Sequence, residues 1–187
     1  MLAIVPVKGL DGAKTRLAGV LSPSERAELV LTMLDCVLEA CAESVAIDEI
    51  LVVTPDERVA RGDAVLVDEG AGHAPAIARA LADPRARGGA VVVMADCPLV
   101  LPEAIDRLAE AAQPVAIARA TDGGMNALAV RDPAAFEPAF GVRHSARRTD
   151  ERARAAGVDA VILDDPLLAF DVDRPADLER LRGLVAA

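Results

Sequence analysis

The stretch Met1-Leu-Ala-Ile-Val-Pro-Val-Lys8-Gly-Leu-Asp-Gly-Ala-Lys14-Thr-Arg16-Leu17 decides how the rest of the chain is read. A short apolar run, Leu2–Val7, ends in a loop that holds two glycines and three cations, and a helix signal follows. Strand, glycine-bearing basic loop, then helix is an order in which α/β proteins commonly hold phosphates. Glycines let backbone N–H groups approach an anion closely, and Lys and Arg supply the counter-charge. The chain as a whole is acidic, with 30 Asp and Glu against 20 Lys and Arg, so a cationic cluster here asks for a local reason. The loop is not a Walker A loop, which needs four residues between its glycines and a glycine directly before the lysine. Here two residues separate Gly9 from Gly12, and Ala13 precedes Lys14. A solvated turn with scattered cations is the structural alternative. Three cations within nine residues, directly after the first strand, favour phosphate binding.

Working outward, Ser22-Pro-Ser-Glu25 is a capping-box signature, with an N-cap serine, proline at the first helical position and glutamate three residues on. The helix it opens runs to about Ala42, with Leu29, Met33, Cys36, Val37 and Ala40 on one face. Further strands are expected at Ile50–Val53, Ala64–Val67, Ala90–Met94, Val115–Ala120, Asn126–Val130 and Val161–Leu163. Helices are expected at Pro75–Leu81, Pro102–Ala112, Ser145–Ala156 and Pro175–Val185. Alternating strands and helices imply an α/β fold, a three-layer α/β/α sandwich around a mostly parallel, Rossmann-like sheet. Ala90–Met94 is apolar throughout and is expected at the centre, covered on both faces. Two successive strands around Asp122-Gly-Gly124 break the rhythm and suggest an antiparallel element over the ligand side.

A length of 187 residues suits one domain, 1–187, and a hydrophobic fraction of 53% argues against disorder. The negative charge argues against a general nucleic-acid binder. The opening apolar run is too short for a signal or a membrane span, so a cytoplasmic protein with no membrane partner is expected. Cys36, Cys41 and Cys97 are badly spaced for zinc, and His73 and His144 lack a metal-binding context. The oligomeric state is not legible in the sequence, and a homodimer is compatible with it.

Ligands of such sheets sit outside the carboxyl ends of the strands. Three polar groups fall there: the Lys8–Arg16 loop, Asp96 after Val91–Ala95, and Asp171 and Asp173 after Leu168–Phe170. Asp96 is placed to hold a hard cation such as Mg²⁺, which takes one or two carboxylates plus substrate phosphates. D-x-D on an extended segment puts Asp171 and Asp173 on the same side, and with Asp96 this would make a metal site for a nucleoside triphosphate. Capping of the helices near Pro98, Pro102 and Pro175 is the structural alternative for each aspartate. A second cationic cluster, Arg143-His144-Ser145-Ala-Arg147-Arg148, opens a helix and suits a small phosphorylated or carboxylated substrate; a basic surface helix is its alternative.

Taken together, the chain resembles the 2-phospho-L-lactate and phosphoenolpyruvate guanylyltransferase family, within the molybdopterin-guanylyltransferase-like nucleotidyltransferase fold of nucleotide-diphospho-sugar-transferase type. The residues that carry the resemblance are Pro6-Val-Lys8 with Ala13-Lys-Thr-Arg-Leu17, Thr54-Pro-Asp56, Asp96-Cys-Pro-Leu99, Asp122-Gly-Gly-Met-Asn-Ala-Leu128, Phe140-Gly141 with Ser145-Ala-Arg147, and Asp171-Val-Asp-Arg-Pro-Ala-Asp-Leu178. The resemblance implies transfer of GMP from GTP to the phosphate of a three-carbon acid, with release of pyrophosphate, in biosynthesis of the deazaflavin coenzyme F-420. Lys8, Lys14 and Arg16 would be catalytic. Val7, Lys8, Gly9, Lys14, Asp68 and Asp96 would bind the nucleotide. Asn126, Gly141, His144, Ser145 and Arg147 would seat the acceptor, and Asp96 and Asp173 would hold Mg²⁺. Relatives often carry F-G-P-x-S-x where this chain has Phe140-Gly-Val-Arg-His-Ser145, threonine at the place of Met125 or Asn126, and Leu-Asn where it has Ala74-Pro75. Another phosphoacid acceptor such as 3-phosphoglycerate, another nucleoside triphosphate, or a D-x-D glycosyltransferase are the alternative activities.

Overall fold

The computed structural model describes residues 1–60, 64–67 and 72–185. Seven strands form one sheet: β1 (Leu2–Pro6), β2 (Glu49–Thr54), β3 (Ala64–Val67), β4 (Ala90–Val93), β5 (Val115–Arg119), β6 (Met125–Val130) and β7 (Ala160–Leu163), in the order β3-β2-β1-β4-β6-β5-β7. Five helices connect them: α1 (Pro23–Glu43), α2 (His73–Leu81), α3 (Pro102–Ala111), α4 (Ser145–Ala155) and α5 (Pro175–Val185). β1 pairs in parallel with both β2 and β4, β2 with β3, and β5 with β7. β6 is antiparallel to both of its neighbours.

Alternation along each strand divides the core into two layers. Ala3 and Val5 of β1, and Val91 and Val93 of β4, face α1, α3 and Leu178 of α5. Leu2, Ile4, Ala90 and Val92 face α2 and Ala146 of α4. All four residues of β4 are fully buried at the centre of the sheet, as its uninterrupted apolar run implies. On β5 and β6 one face is built from Ala116, Ala118, Ala127 and Ala129, and the other from Val115, Ile117, Leu128 and Val130. The alanine face leaves room for α3 and for the chain at Leu168–Val172 to lie close against the sheet.

The capping box forms as read. Ser22 Oγ accepts the Glu25 N–H at 3.3 Å, and Glu25 accepts the Ser22 N–H at 2.7 Å. Helix α2 starts at His73, with Pro75 inside its first turn, where a missing N–H costs nothing.

Two expectations are corrected. The β5–β6 hairpin does not lie over the ligand side as a separate element: both strands are inside the sheet, with β6 inserted between β4 and β5. A short turn permits only antiparallel pairing, so the chain reverses there and only the turn itself reaches the ligand edge. The Asp122 carboxylate accepts the Gly124 N–H at 2.7 Å, and Gly123 takes φ +85°. Leu168–Phe170 is not a strand. It is a turn whose Ala169 carbonyl accepts the Thr121 N–H at 3.1 Å, and this bond carries the following aspartates to the same edge. Among the described residues no helix is long and apolar enough to cross a membrane.

Candidate active site

Parallel β1, β2 and β4 end on one edge of the sheet, and a cleft of about 710 Å³ opens there. That volume suits a nucleotide-sized ligand. The basic loop forms one wall. The Val7 N–H still pairs with the Val53 carbonyl at 2.8 Å, and the chain then leaves the sheet. Three contacts hold the loop: Asp56 accepts the Leu10 N–H at 2.9 Å, Arg58 reaches the Asp11 carboxylate at 2.9 Å, and Arg26 Nε donates to the Ala13 carbonyl at 3.0 Å. Gly12 adopts φ +72°, and Lys14 adopts φ +47°, a left-handed conformation that costs a non-glycine residue on the order of 1 kcal/mol. Side-chain ion pairs offset that cost.

Lys14 Nζ lies 2.6 Å from Asp96 and 2.8 Å from Asp173. A residue of the first loop is thereby joined to groups 82 and 159 positions away. Arg16 Nη1 donates to the second oxygen of Asp173 at 2.8 Å. Asp96 follows β4 by way of Met94, whose N–H pairs with the Asn126 carbonyl at 2.8 Å. The D-x-D segment is tied to it directly, because the Val172 N–H donates to the Asp96 carbonyl at 3.2 Å. Val172 is fully buried, so the aspartates on either side of it project into the cleft.

Asp171 completes the group. Asp96, Asp171 and Asp173 each offer a carboxylate oxygen, and these oxygens lie within 4.8 Å of one another. Burial pushes the Asp171 carboxyl up to about 6 against the hydrogen bond from Asn126, and Asp96, Asp173 and Asp122 push in the same direction. Burial also opposes the charge on Asp173, but Lys14, Arg16 and Lys8 outweigh it and hold its carboxyl below the usual range. Burial disfavours the Lys14 ammonium, yet Asp96 and Asp173 keep its pKa raised. An all-oxygen set of three clustered carboxylates that already draws in a cation fits a hard divalent ion such as Mg²⁺.

The opposite wall is built from the hairpin turn and the start of α4. The Asn126 amide donates to the Leu168 carbonyl at 3.0 Å and to Asp171 at 3.2 Å, so it orients the third carboxylate. The Thr149 hydroxyl accepts the Ala139 N–H at 3.0 Å, which fixes the chain that leads to Gly141 onto α4. Gly141, with φ +71°, and Ser145, which is buried, line the cleft with Asn126.

Of the residues singled out in the sequence, Val7, Lys8, Gly9, Lys14, Arg16, Asp96, Asn126, Gly141, Ser145 and Asp173 all line this cleft. Two do not. His144 precedes α4 with φ +55°, and its Nδ1 packs against Gly123, where a Cβ would lie 3.2 Å away. Arg147 points to solvent and pairs with Glu151 at 3.0 Å, one helical turn on. Asp68 lies outside the described residues. The D-x-D reading places Asp171 with Asp173 and Asp96, although the resemblance assigns Mg²⁺ to Asp96 and Asp173 alone, and it assigns Asp56 no role. The D-x-D spacing was the signal for Asp171. The Arg58 contacts of Asp56 are local, and its bond to Leu10 arises only because β1 and β2 are neighbours. Burial drives the Cys41 thiol up to about 12 and the Cys97 thiol well above its usual range, and both side chains are fully buried.

The chain is similar to known proteins along almost its whole length. The family described as "Guanylyl transferase CofC like" matches residues 1–182. A phosphoenolpyruvate guanylyltransferase of Sphaerobacter thermophilus is 41% identical over 97% of this chain and 92% of its own length. A 3-phospho-D-glycerate guanylyltransferase of Phenylobacterium zucineum is 35% identical over 97% of this chain and 89% of its own. Among solved structures, one described as a nucleotide-diphospho-sugar transferase, from Desulfovibrio desulfuricans, superposes with a TM-score of 0.77 at 21% identity, covering 96% of this chain and 85% of that one. The fold is therefore shared with that class of transferase.

Proposed function

The chain belongs to the CofC-like guanylyl transferase family, and from that premise we propose that it transfers GMP from GTP to the phosphate of phosphoenolpyruvate or a closely similar three-carbon phosphoacid, releasing pyrophosphate. It is a nucleotidyltransferase by family. The observation that carries the substrate reading is the meeting, at Lys14, of the basic loop with Asp96 and Asp173.

An oxygen of the acceptor phosphate, already anionic, attacks the α-phosphorus of GTP. The new P–O bond forms as the bond to the β-phosphate oxygen breaks, and the electron pair leaves on pyrophosphate. No proton has to be removed from the attacking oxygen and no covalent enzyme intermediate is required. The task is positioning and charge neutralisation. Lys8, Lys14 and Arg16 face the β- and γ-phosphates and neutralise the charge that builds on the leaving pyrophosphate. The amides of the loop near Gly9 lie against the same phosphates. Gly141 and Ser145, at the start of α4, receive the acceptor, where the helix N-terminus favours an anion. Asp96, Asp171 and Asp173 would hold Mg²⁺. Bound there, Mg²⁺ supplies charge neutralisation and orientation for the triphosphate. Asn126 holds Asp171 toward the other two carboxylates.

A second acceptor has a specific observation in its favour, the 3-phospho-D-glycerate guanylyltransferase among the relatives. The residues beside Ser145 depart from the usual pattern at Val142 and His144, on the wall that would receive the acceptor. Pyrophosphate release is measured with GTP, CTP, ATP and UTP, each against phosphoenolpyruvate, 2-phospho-L-lactate and 3-phosphoglycerate. Release with GTP and phosphoenolpyruvate above all other pairs is expected. Preference for 3-phosphoglycerate replaces the acceptor, and preference for CTP overturns the guanylyl reading.

A further inference from the structure

Asp56 lies just past the end of β2, beside the point where the chain leaves β1 for the basic loop. Its carboxylate is surrounded by donors from the protein itself. Oδ1 accepts the Arg58 N–H at 3.0 Å and Arg58 Nε at 2.8 Å, while Oδ2 accepts the Leu10 N–H at 2.9 Å and Arg58 Nη2 at 2.7 Å. The same Arg58 nitrogen also reaches Asp11 at 2.9 Å. A Cβ on Gly9 would stand 3.5 Å from Asp56 Oδ2, so the loop backbone packs directly on this carboxylate. With four donors in place, Asp56 has no need of a ligand or a metal. Capping the short turn Glu57–Val59 accounts for the bond from Arg58 N–H, but not for the bond to Leu10, 46 residues away.

We propose that Asp56 is a positioning residue for the reaction: through the Leu10 amide it holds loop residues 8–12 in the conformation that receives the pyrophosphate half of the nucleotide, and Arg58 holds Asp56. The loop is arranged before the ligand arrives, so ordering it does not have to be offset by binding energy. This role rests on the reading of the loop given under the proposed function. It is a property of the donor side alone, because the α4 wall that receives the acceptor makes no contact with Asp56 among the hydrogen bonds above.

The test is calorimetric titration of inorganic pyrophosphate, with Mg²⁺ present, into the wild-type protein and into Asp56→Ala, Asp56→Asn and Arg58→Ala, alongside KM for each substrate. Losing a charge-assisted bond to the loop is expected to weaken pyrophosphate binding and raise KM for GTP in D56A by about ten- to a hundredfold. KM for the phosphoacid should stay within about twofold of wild type, since that wall is untouched. D56N, whose amide oxygen still accepts the Leu10 N–H, should recover most of the loss, and R58A should fall between the two. If D56A does not fold, the ordering of wild type, D56N and R58A carries the same information. Equal pyrophosphate affinity in wild type and in the folded variants overturns the positioning role and leaves the proposed function standing. Equal increases in both KM values overturn it as well, because they mark a general structural loss. Failure of the wild-type protein to bind pyrophosphate at all overturns the reading of the loop and this role with it.

Discussion

An ammonium held between two carboxylates in a largely buried place separates two groups of like charge. Lys14 is in that position with Asp96 and Asp173. Replacing it by methionine leaves two negative groups facing each other, and because Asp173 is 39% exposed and screened the metal-free protein should lose about 1–3 kcal/mol, read as a lower urea midpoint. Mg²⁺ should raise the midpoint of Lys14→Met more than that of wild type, because the ammonium no longer competes for the same oxygens. An equal response to Mg²⁺ in both proteins would show that the two cations do not share the place. Asp171 gives a pH signature of opposite sign to that of an ordinary paired carboxylate. Its folded value, about 6, stands above the usual 3.8. The protonated form is therefore favoured by folding, and the contribution is fully present below 3.8 and lost as pH rises through about 6. Asp171→Asn imitates the protonated form. In a metal chelator, the melting midpoint of this variant relative to wild type should climb as pH rises across that window. A difference that does not change with pH would remove Asp171 from the cluster.

Elements with strong local chemistry are legible in the sequence. The capping box at Ser22 and Glu25 needs only a four-residue pattern, and Ser22→Ala should cost about 1 kcal/mol in a denaturant titration. Burial of β4 on both faces was legible from its four apolar residues. Pairing was not. Nothing local says that β6 inserts between β4 and β5, because an apolar strand looks the same in either direction. Leu128, fully buried in β6, packs in the layer that holds Ile117 and Val92. Leu128→Ala should cost about 2–5 kcal/mol, and a loss under about 1 kcal/mol would contradict the central placement of that strand. The candidate site was legible where a residue type announces its chemistry, as at Lys14, Asp96 and Asp173. It was not legible where position alone decides. Arg147 carries the right charge but sits on the solvent face of α4 and pairs with Glu151. Asp56 belongs to the Thr54-Pro-Asp56 motif, but nothing local shows its bond to Leu10, which exists only because two strands are neighbours. His144 was read as an acceptor ligand, but its left-handed backbone turns it to the hairpin at Gly123.

At the scale of the whole molecule, the sheet gathers a loop, a strand end and a C-terminal turn from positions 14, 96 and 173 into one cleft. A protein with a formal charge of −10 thereby presents cations and carboxylates side by side, as transfer of a nucleotide between two anions demands. Removal of divalent metal should abolish turnover, and adding Mg²⁺ back should restore it. Asp96→Ala and Asp173→Ala should each lower kcat by at least about a hundredfold. Near-normal turnover in either variant would contradict the carboxylate assignment. The most direct measurement follows the label from GTP marked at its α-phosphorus, incubated with phosphoenolpyruvate and Mg²⁺. The account predicts that the label enters a product joining guanosine monophosphate to the phosphoacid, and that the released pyrophosphate carries none. Label recovered in GDP, with free phosphate released, would mean attack at the γ-phosphorus and would contradict it.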